Sequence, residues 1–124
     1  MTSLTFDTGA LIALERGEKR MRTVLLAAQD RRAVITVPAV IVAEWWRSDS
    51  KRCRLILSFV NVESTTERIG RLAGAALAAI PGATAIDAIV MASAAQRGDT
   101  VFTSDLEDLE QLRRHFPSVR VLRA

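Results

Sequence analysis

A chain of 124 residues, of which 49% are hydrophobic and 25% charged, can bury one hydrophobic core and is too short for two ordinary domains, so we expect residues 1–124 to form one domain. The only cysteine, Cys53, excludes an intramolecular disulfide and a cysteine-based zinc site. The net charge of +3 and the sequence pI near 10.0 favour a polyanionic partner, although a solvated basic surface would explain the same charge.

Five short apolar segments, mostly β-branched or aromatic, alternate with helical patterns along the chain. The predicted strands are 4–6, 34–37, 59–62, 101–103 and 119–122. Apolar residues at helical spacing predict amphipathic helices over 21–28 and 69–80. Strands that alternate with helices imply right-handed crossovers. The sequence therefore predicts an α/β fold, a three-layer α/β/α sandwich around a parallel sheet of about five short strands.

Three further local patterns concern the helices. Pro38 suits the first residue of a helix, and Ser64 followed by Glu67 forms a capping-box pattern. The segment 85–96 has no charged residue after Asp87, which predicts a helix buried on most sides. A carboxylate in the first turn of such a helix must be paired, protonated or bound to a cation.

No basic and apolar leader precedes the first predicted strand, and no apolar run approaches the roughly 18 residues that a membrane span requires. We therefore expect a cytoplasmic protein without membrane association.

Four acidic residues stand at positions where an acid can also have a purely structural role, such as capping a helix. Asp7 and Asp105 each follow a predicted strand and could cap the next helix, while Asp87 lies three residues after Thr84. Glu44 lies three residues after Ile41 on the helix that begins near Pro38, which predicts a place on its apolar face. Capping alone therefore explains three of these acids but not Glu44.

The topology of a parallel sheet predicts that these acids meet. Asp7 and Asp105 should lie at the carboxyl edge of the sheet, and the helix of Asp87 should begin at the same edge. Glu44 joins them only if its helix leans across that edge. Converging carboxylates without a basic partner suit Mg²⁺ or Mn²⁺, and such a site suits phosphodiester hydrolysis by metal-activated water.

Four sequence blocks, in this order, resemble the signature of PIN domains, particularly the VapC toxins of toxin–antitoxin pairs. They are Phe6-Asp7-Thr8-Gly9-Ala10-Leu11-Ile12, Val42-Ala43-Glu44, Asp87-Ala88-Ile89 and the block from Val101 to Leu109. The resemblance covers nearly the whole chain. It departs from many relatives at Ile86, where they carry a small or polar residue.

The resemblance implies a metal-dependent endoribonuclease that acts as the toxin of a type II toxin–antitoxin system. By it, Asp7, Glu44, Asp87 and Asp105 are metal ligands and catalytic residues, Asp108 is an additional acid, and Thr8, Thr103 and Ser104 can hydrogen-bond the carboxylates or a water. It also implies Mg²⁺ or Mn²⁺ as cofactor, RNA as substrate, a homodimer, and a small VapB-like antitoxin whose tail enters the groove.

The pair Trp45-Trp46, followed by Arg47, directly follows Glu44. If Trp45 packs inward beside Ile41, Trp46 should be exposed, and an exposed tryptophan beside Arg47 is typical of an interface. Contact with an antitoxin or RNA and plain core packing both remain open for Trp46.

The main alternative function is a PIN-like protein that binds RNA or a partner without cleaving it. An aspartate phosphotransferase is disfavoured, because Gly9 stands where its second aspartate would be. A dinucleotide-binding module is also disfavoured, because it needs a glycine-rich turn directly after the first strand and Gly9 stands alone in that turn.

Overall fold

A computed structural model describes residues 3–124, and five parallel strands form a single sheet within this range. The strands are β1 (Leu4–Phe6), β2 (Ile35–Pro38), β3 (Asn61–Glu63), β4 (Thr100–Thr103) and β5 (Arg120–Arg123), in the order β3-β2-β1-β4-β5. β1 and β4 are neighbours near the centre, with Thr5 opposite Val101 and Phe6 opposite Phe102. Met1 and Thr2 lie outside the described residues, so the expectation about the segment before β1 is not tested.

The helices cover the sheet in two groups. One contains α1 (Thr8–Glu15), α2 (Lys19–Asp30), α3 (Ala39–Trp45) and α4 (Lys51–Ser58), and the other contains α5 (Glu67–Ala79), α6 (Ala85–Ala95) and α7 (Leu106–Leu112). The predicted α/β sandwich with a five-stranded parallel sheet is confirmed. None of the helices between residues 3 and 124 is both long and apolar enough to cross a bilayer.

Local predictions of element boundaries were wrong by one or two residues at three places. The predicted third strand began at residue 59, but Phe59 ends α4 and the strand is Asn61–Glu63. The capping box at Ser64 does not form, because Thr66 accepts the hydrogen bond from the backbone N–H of Ile69. Pro38 lies at the N-cap of α3, one residue before the helical position expected for it.

The helix α6 is the central element of its layer and has the buried character that its sequence predicts. Its buried residues are Ala88, Val90, Met91, Ala92, Ser93 and Ala94. The small side chains let α6 contact β1, β2 and β4 closely. Asp87 lies in the first turn of α6. The packing of α6 against the sheet therefore fixes the position of the Asp87 carboxylate.

A polar network lies near the other end of α6. Arg97 donates to Asp99 (2.9 Å) and Glu63 (2.6 Å), and Ser93 donates to Glu63 at 2.5 Å. Asp99 is fully buried and also accepts hydrogen bonds from Ser3 and from Thr5, the latter at 2.7 Å. The network thus ties β1, β3, α6 and the start of β4 together through one guanidinium group.

We expect Arg97→Met to destabilise the fold by about 3–5 kcal/mol, because it leaves the buried carboxylate of Asp99 without its cation. Arg71→Met is the matched control. Arg71 and its partner Glu67 have side chains that are 79% and 78% exposed, so losing this pair should cost less than about 1 kcal/mol. Urea unfolding of both variants measures the difference, and equal losses would contradict a structural role for the network.

Candidate metal centre

Asp7 is fixed by hydrogen bonds on both sides of its carboxylate. It directly follows β1 and is the N-cap of α1, where one oxygen accepts from the backbone N–H of Ala10 at 3.1 Å. The other oxygen accepts from the hydroxyl group of Thr103. Only 7% of Asp7 is exposed. The capping role expected from the sequence is therefore real, but it places a carboxylate in a buried position at the sheet edge.

Asp105 lies at the N-cap position of α7 without capping the helix through its side chain. Its backbone N–H donates to Thr103 Oγ1 at 2.9 Å. The same hydroxyl group donates to Asp7, so Thr103 fixes the two acidic segments relative to each other. Within residues 3–124 the carboxylate of Asp105 has no hydrogen-bond partner, which leaves it available to a ligand.

Gly9 allows the first turn of α1 to approach the loop that carries Asp105. A Cβ atom at position 9 would collide with the side chain of Ser104 and would lie 2.9 Å from its backbone nitrogen. Backbone cannot yield as a flexible side chain can, so any larger residue would push Ser104 and Asp105 away from Asp7. The glycine here is required by close packing rather than by an unusual backbone angle.

Asp87 and Glu44 approach from the two helical layers. The N-cap of α6 is Thr84, which accepts from the backbone N–H of Asp87 at 3.2 Å, and the Asp87 side chain is half-buried. Glu44 accepts a hydrogen bond from Thr8 Oγ1 at 2.6 Å. The prediction that Glu44 lies on an apolar face was wrong: it is exposed, because α3 ends one residue later and Glu44 lies at the cavity mouth.

The four acids line one cavity of about 200 Å³, which we call the acidic cavity. Its lining consists of Asp7, Thr8, Gly9, Ile12, Ile41, Glu44, Asp87, Ser104 and Asp105. The structure therefore brings to one cavity Asp7, Asp87 and Asp105, which topology predicts to converge, together with Glu44. In the part of the chain that the structure describes, none of them forms an ion pair with Arg, Lys or His.

Burial and mutual repulsion act on these acids in the same direction. Burial raises the pKa of Asp7 to about 6, and the negative charges of Asp105 and Asp87 add to the effect, against hydrogen bonds from Thr103 and Ala10. Burial also raises the pKa of Asp87, with further contributions from Asp105, Asp108 and Glu44. The cavity is therefore a place where a positive charge would be favourable.

The carboxylates of the acidic cavity are suitable ligands for a hard divalent cation, although they lie too far apart in this structure to surround one. Over residues 3–124, no three His, Cys, Asp or Glu side chains are close enough to form a ready ligand cluster. Glu44 accepts a hydrogen bond from Thr8, and Asp7 accepts one from Thr103, so each of these two carboxylates already has a hydroxyl partner. Carboxylate oxygens without nitrogen or sulfur donors are the ligands that Mg²⁺ and Mn²⁺ prefer.

The other predicted residues lie at different distances from the acidic cavity. Thr8 and Thr103 donate to its carboxylates, while Ser104 lines it and packs against Gly9. Asp108 lines an adjoining cavity with Ser104 and Asp105, rather than the acidic cavity itself.

Trp46 does not have the exposed position expected of it. Trp45 is buried, and its indole N–H donates to Glu15 at 2.8 Å. Trp46 is half-buried at the margin of the core and makes an edge-to-face contact with Trp45, with ring centroids 6.1 Å apart. Arg47 is exposed, and its guanidinium group donates to the carbonyls of Ala43 and Trp46. Of Trp46 and Arg47, only Arg47 is exposed enough to form an extensive contact with a partner.

Sequence reasoning missed one charged residue beside the acids. Arg123 ends β5, lies opposite Thr103, and lines the cavity that also contains Asp105 and Asp108. The rule that places Asp7 and Asp105 at the carboxyl edge of the sheet applies equally to Arg123, since it directly follows the strand predicted over 119–122.

The sequence profile of the PIN domain matches residues 4–114, which is most of the chain. The chain therefore belongs to the PIN domain family. None of the curated proteins compared by sequence matches it significantly.

Solved structures with the same fold are distant in sequence. A chain in the structure of VapBC2 from Rickettsia felis, bound to a DNA fragment from its promoter, superposes with a TM-score of 0.80 at 11% identity, covering 99% of both chains. DNA-bound VapBC from Salmonella typhimurium gives 0.75 at 15% identity, covering 99% of this chain and 98% of that chain. A toxin–antitoxin complex from Klebsiella pneumoniae gives 0.72 at 21% identity, covering 94% and 95% respectively. These likenesses establish the fold.

We expect the metal-free protein to lose stability as the pH rises from about 4 to above 6. The Asp7 carboxyl has a pKa of about 6 when folded and near 3.8 when unfolded, so the folded state binds more protons in this window and rising pH favours unfolding. For a group this buried, the shift is on the order of 3 kcal/mol. Urea unfolding in EDTA across this range, compared with Asp7→Asn, isolates the effect; identical slopes for both proteins would contradict it.

We expect Asp87→Asn to raise the metal-free melting temperature by a few degrees, on the order of 1 kcal/mol, because it removes repulsion while the Thr84 cap stays intact. Added Mn²⁺ should stabilise the wild type more than the variant, since binding favours the folded state. Glu67→Gln, in the first turn of α5, is the control and should give no increase. A lower midpoint for Asp87→Asn in EDTA, with no response of the wild type to Mn²⁺, would contradict a clustered site.

Proposed function

We propose that this protein is a Mg²⁺- or Mn²⁺-dependent endoribonuclease and the toxin of a type II toxin–antitoxin pair, with residues 1–124 acting as one domain. The observation that carries the proposal is the acidic cavity. Asp7, Glu44, Asp87 and Asp105 line it without a basic partner among the described residues, and Asp7 is buried there with a raised pKa. A fold alone would not justify an activity, but this arrangement has no evident structural purpose.

Asp7, Glu44, Asp87 and Asp105 are the residues that would hold the ion. They come from the β1–α1 junction, α3, α6 and the β4–α7 junction, and all four line the acidic cavity. The divalent cation, when bound, would lower the pKa of a water to supply the nucleophile and offset the charge that develops on the scissile phosphate. No side chain of this protein needs to attack the phosphate itself.

The neighbouring hydroxyl groups would keep the carboxylates in position. Thr103 orients Asp7 and the backbone of Asp105, and Thr8 orients Glu44. The hydrogen bond from Thr103 to Asp7 lowers the pKa of Asp7 and so favours its ionised form, which is the form that binds a cation. Ser104 and Asp108, further along the same loop and helix, would contact water or substrate next to the ion.

Hydrolysis of the phosphodiester would exchange one P–O bond for another. The water would release a proton as its oxygen forms a bond to phosphorus, the bond from phosphorus to one ribose oxygen would break, and the departing ribose oxygen would gain a proton, so that one water is added in total. A negatively charged cavity without a cation would repel the phosphodiester, so the acidic cavity can serve this reaction only together with a divalent ion.

The proposed partners follow from the family and from the fold likenesses. VapBC complexes and a further toxin–antitoxin complex share the fold at TM-scores of 0.72 to 0.80, which supports a small VapB-like antitoxin as a partner. We further propose a homodimer in the cytoplasm. Arg47, exposed beside Glu44, is the better candidate for a contact with antitoxin or RNA, whereas half-buried Trp46 would support it from the core margin.

The alternative is a protein that binds RNA or a partner without cleaving it. A binding protein would have no reason to keep four carboxylates around a cavity of about 200 Å³, since those charges repel RNA. Cleavage of RNA in Mn²⁺ and its loss in EDTA separate the two functions.

We expect Asp7→Asn and Asp105→Asn each to abolish cleavage of a labelled RNA in Mn²⁺, because the acids act together on one ion and their effects are not additive. The fold should persist, as judged by circular dichroism. Asp30→Asn makes the same chemical change on the exposed end of α2 and should cleave like the wild type. If Asp7→Asn and Asp105→Asn cleave at the wild-type rate, the site assignment is wrong.

A further inference from the structure

Arg123 lies one strand away from the hydrogen bonds that organise the acidic cavity. Its Cα is paired with that of Thr103, whose hydroxyl group contacts Asp7. Paired residues on parallel strands direct their side chains to the same side of the sheet, and neighbouring strands are about 4.8 Å apart. The side chain of Arg123 therefore lies on the same side of the sheet as that of Thr103, at the edge of the sheet where the four acids line the acidic cavity.

Arg123 also lines a second cavity, of about 230 Å³, which we call the Arg123 cavity. Its lining consists of Ser104, Asp105, Leu106, Glu107, Asp108 and Arg123. Ser104 and Asp105 line the acidic cavity as well, so the two cavities adjoin. A ligand that extends beyond the acidic cavity in this direction meets Arg123.

Arg123 has no ion-pair partner among the residues that the structure describes. Over residues 3–124, no carboxylate oxygen lies within 4.0 Å of its guanidinium group, although three acids line the same cavity. Without Arg123, every charged side chain of this lining would repel a phosphate. Arginine is also the side chain best suited to a phosphate, because its planar group donates two parallel hydrogen bonds.

A third cavity, of about 400 Å³, adjoins the acidic cavity through a different part of its lining. It is lined by Ile12, Glu15, Arg16, Glu44, Trp45 and Arg47, of which Ile12 and Glu44 also line the acidic cavity. The acidic cavity thus adjoins two others, and each of these has at least one arginine in its lining. A polyanion that extends from the acidic cavity into both neighbours can contact these arginines, which an isolated phosphate cannot do.

We propose that Arg123 binds the RNA phosphate next to the scissile one and so positions the RNA strand across the metal centre. This inference rests on the proposed function, because it takes RNA as the ligand. Arg123 acts as a positioning residue: it holds a neighbouring phosphate and does not touch the reacting atoms. Arg16 and Arg47 contact the strand where it extends into the third cavity.

The test measures binding of a fluorescein-labelled, unstructured RNA oligonucleotide by anisotropy, in Mn²⁺ and in the Asp7→Asn background, where three carboxylates remain for the cation and the RNA stays intact. Arg123→Ala should weaken binding several-fold and reduce the slope of log K against log salt by about 0.7, the value for one phosphate contact on a single strand. Arg123→Lys should keep most of the slope. Arg120→Ala, at the other end of the same strand and also exposed, is the matched control and should change neither quantity.

Cleavage by proteins with native Asp7 is measured in parallel in Mn²⁺, where Arg123→Ala should raise KM more than it lowers kcat. Equal affinities and salt slopes for Arg123→Ala and Arg120→Ala would overturn the role of Arg123, even if the wild type cleaves RNA. Conversely, a wild type that never cleaves RNA, combined with a specific loss of affinity in Arg123→Ala, would overturn the proposed function and support this contact. Arg123→Gln gives a second neutral variant, and agreement between the two supports the assignment.

Discussion

The hydrogen bonds around Thr103 are the interaction on which the rest of the site depends. One hydroxyl group donates to Asp7 after β1 and accepts from the backbone of Asp105 after β4. It can do so only because β1 and β4 are parallel neighbours that end at the same edge. The close packing of Gly9 on Ser104 keeps this junction tight, so two acids distant in sequence are held at fixed positions.

Carboxylates are treated in opposite ways in two parts of the molecule. Asp99 and Glu63 share the guanidinium group of Arg97. Asp99 is fully buried and also accepts a hydrogen bond from Thr5 in β1. Asp7 is almost as buried, and burial raises its pKa, with a further contribution from the nearby acids, against the hydrogen bonds from its neutral donors. The protein thus pairs a buried carboxylate with a cation where the carboxylate serves the fold, whereas Asp7 in the acidic cavity has no cationic partner among the described residues. A cation is the natural complement of that second arrangement.

The secondary structure and the sheet could be predicted from the sequence because they follow from local rules. Short β-branched runs alternating with helical periodicity specify a parallel α/β fold, and the uncharged stretch after Asp87 specifies a buried helix. The same topology predicts that Asp7, Asp87 and Asp105 meet at one edge. The ends of the helices and strands were predicted less well, as at Phe59 and Ser64. Capping hydrogen bonds, and not the apolar pattern, determine where these elements end.

The sequence by itself determined the fold class, the core faces and which acids could converge, since these depend on periodicity and on chain direction. Only the tertiary structure decided that Glu44 lies exposed at the cavity mouth, held by Thr8, and that Trp46 is half-buried. It alone joined Arg97 to Glu63 and Asp99, and placed Arg123 beside Asp105. Such contacts depend on the strand order and on how far each helix extends across the sheet edge, and neither quantity is a local property of the chain.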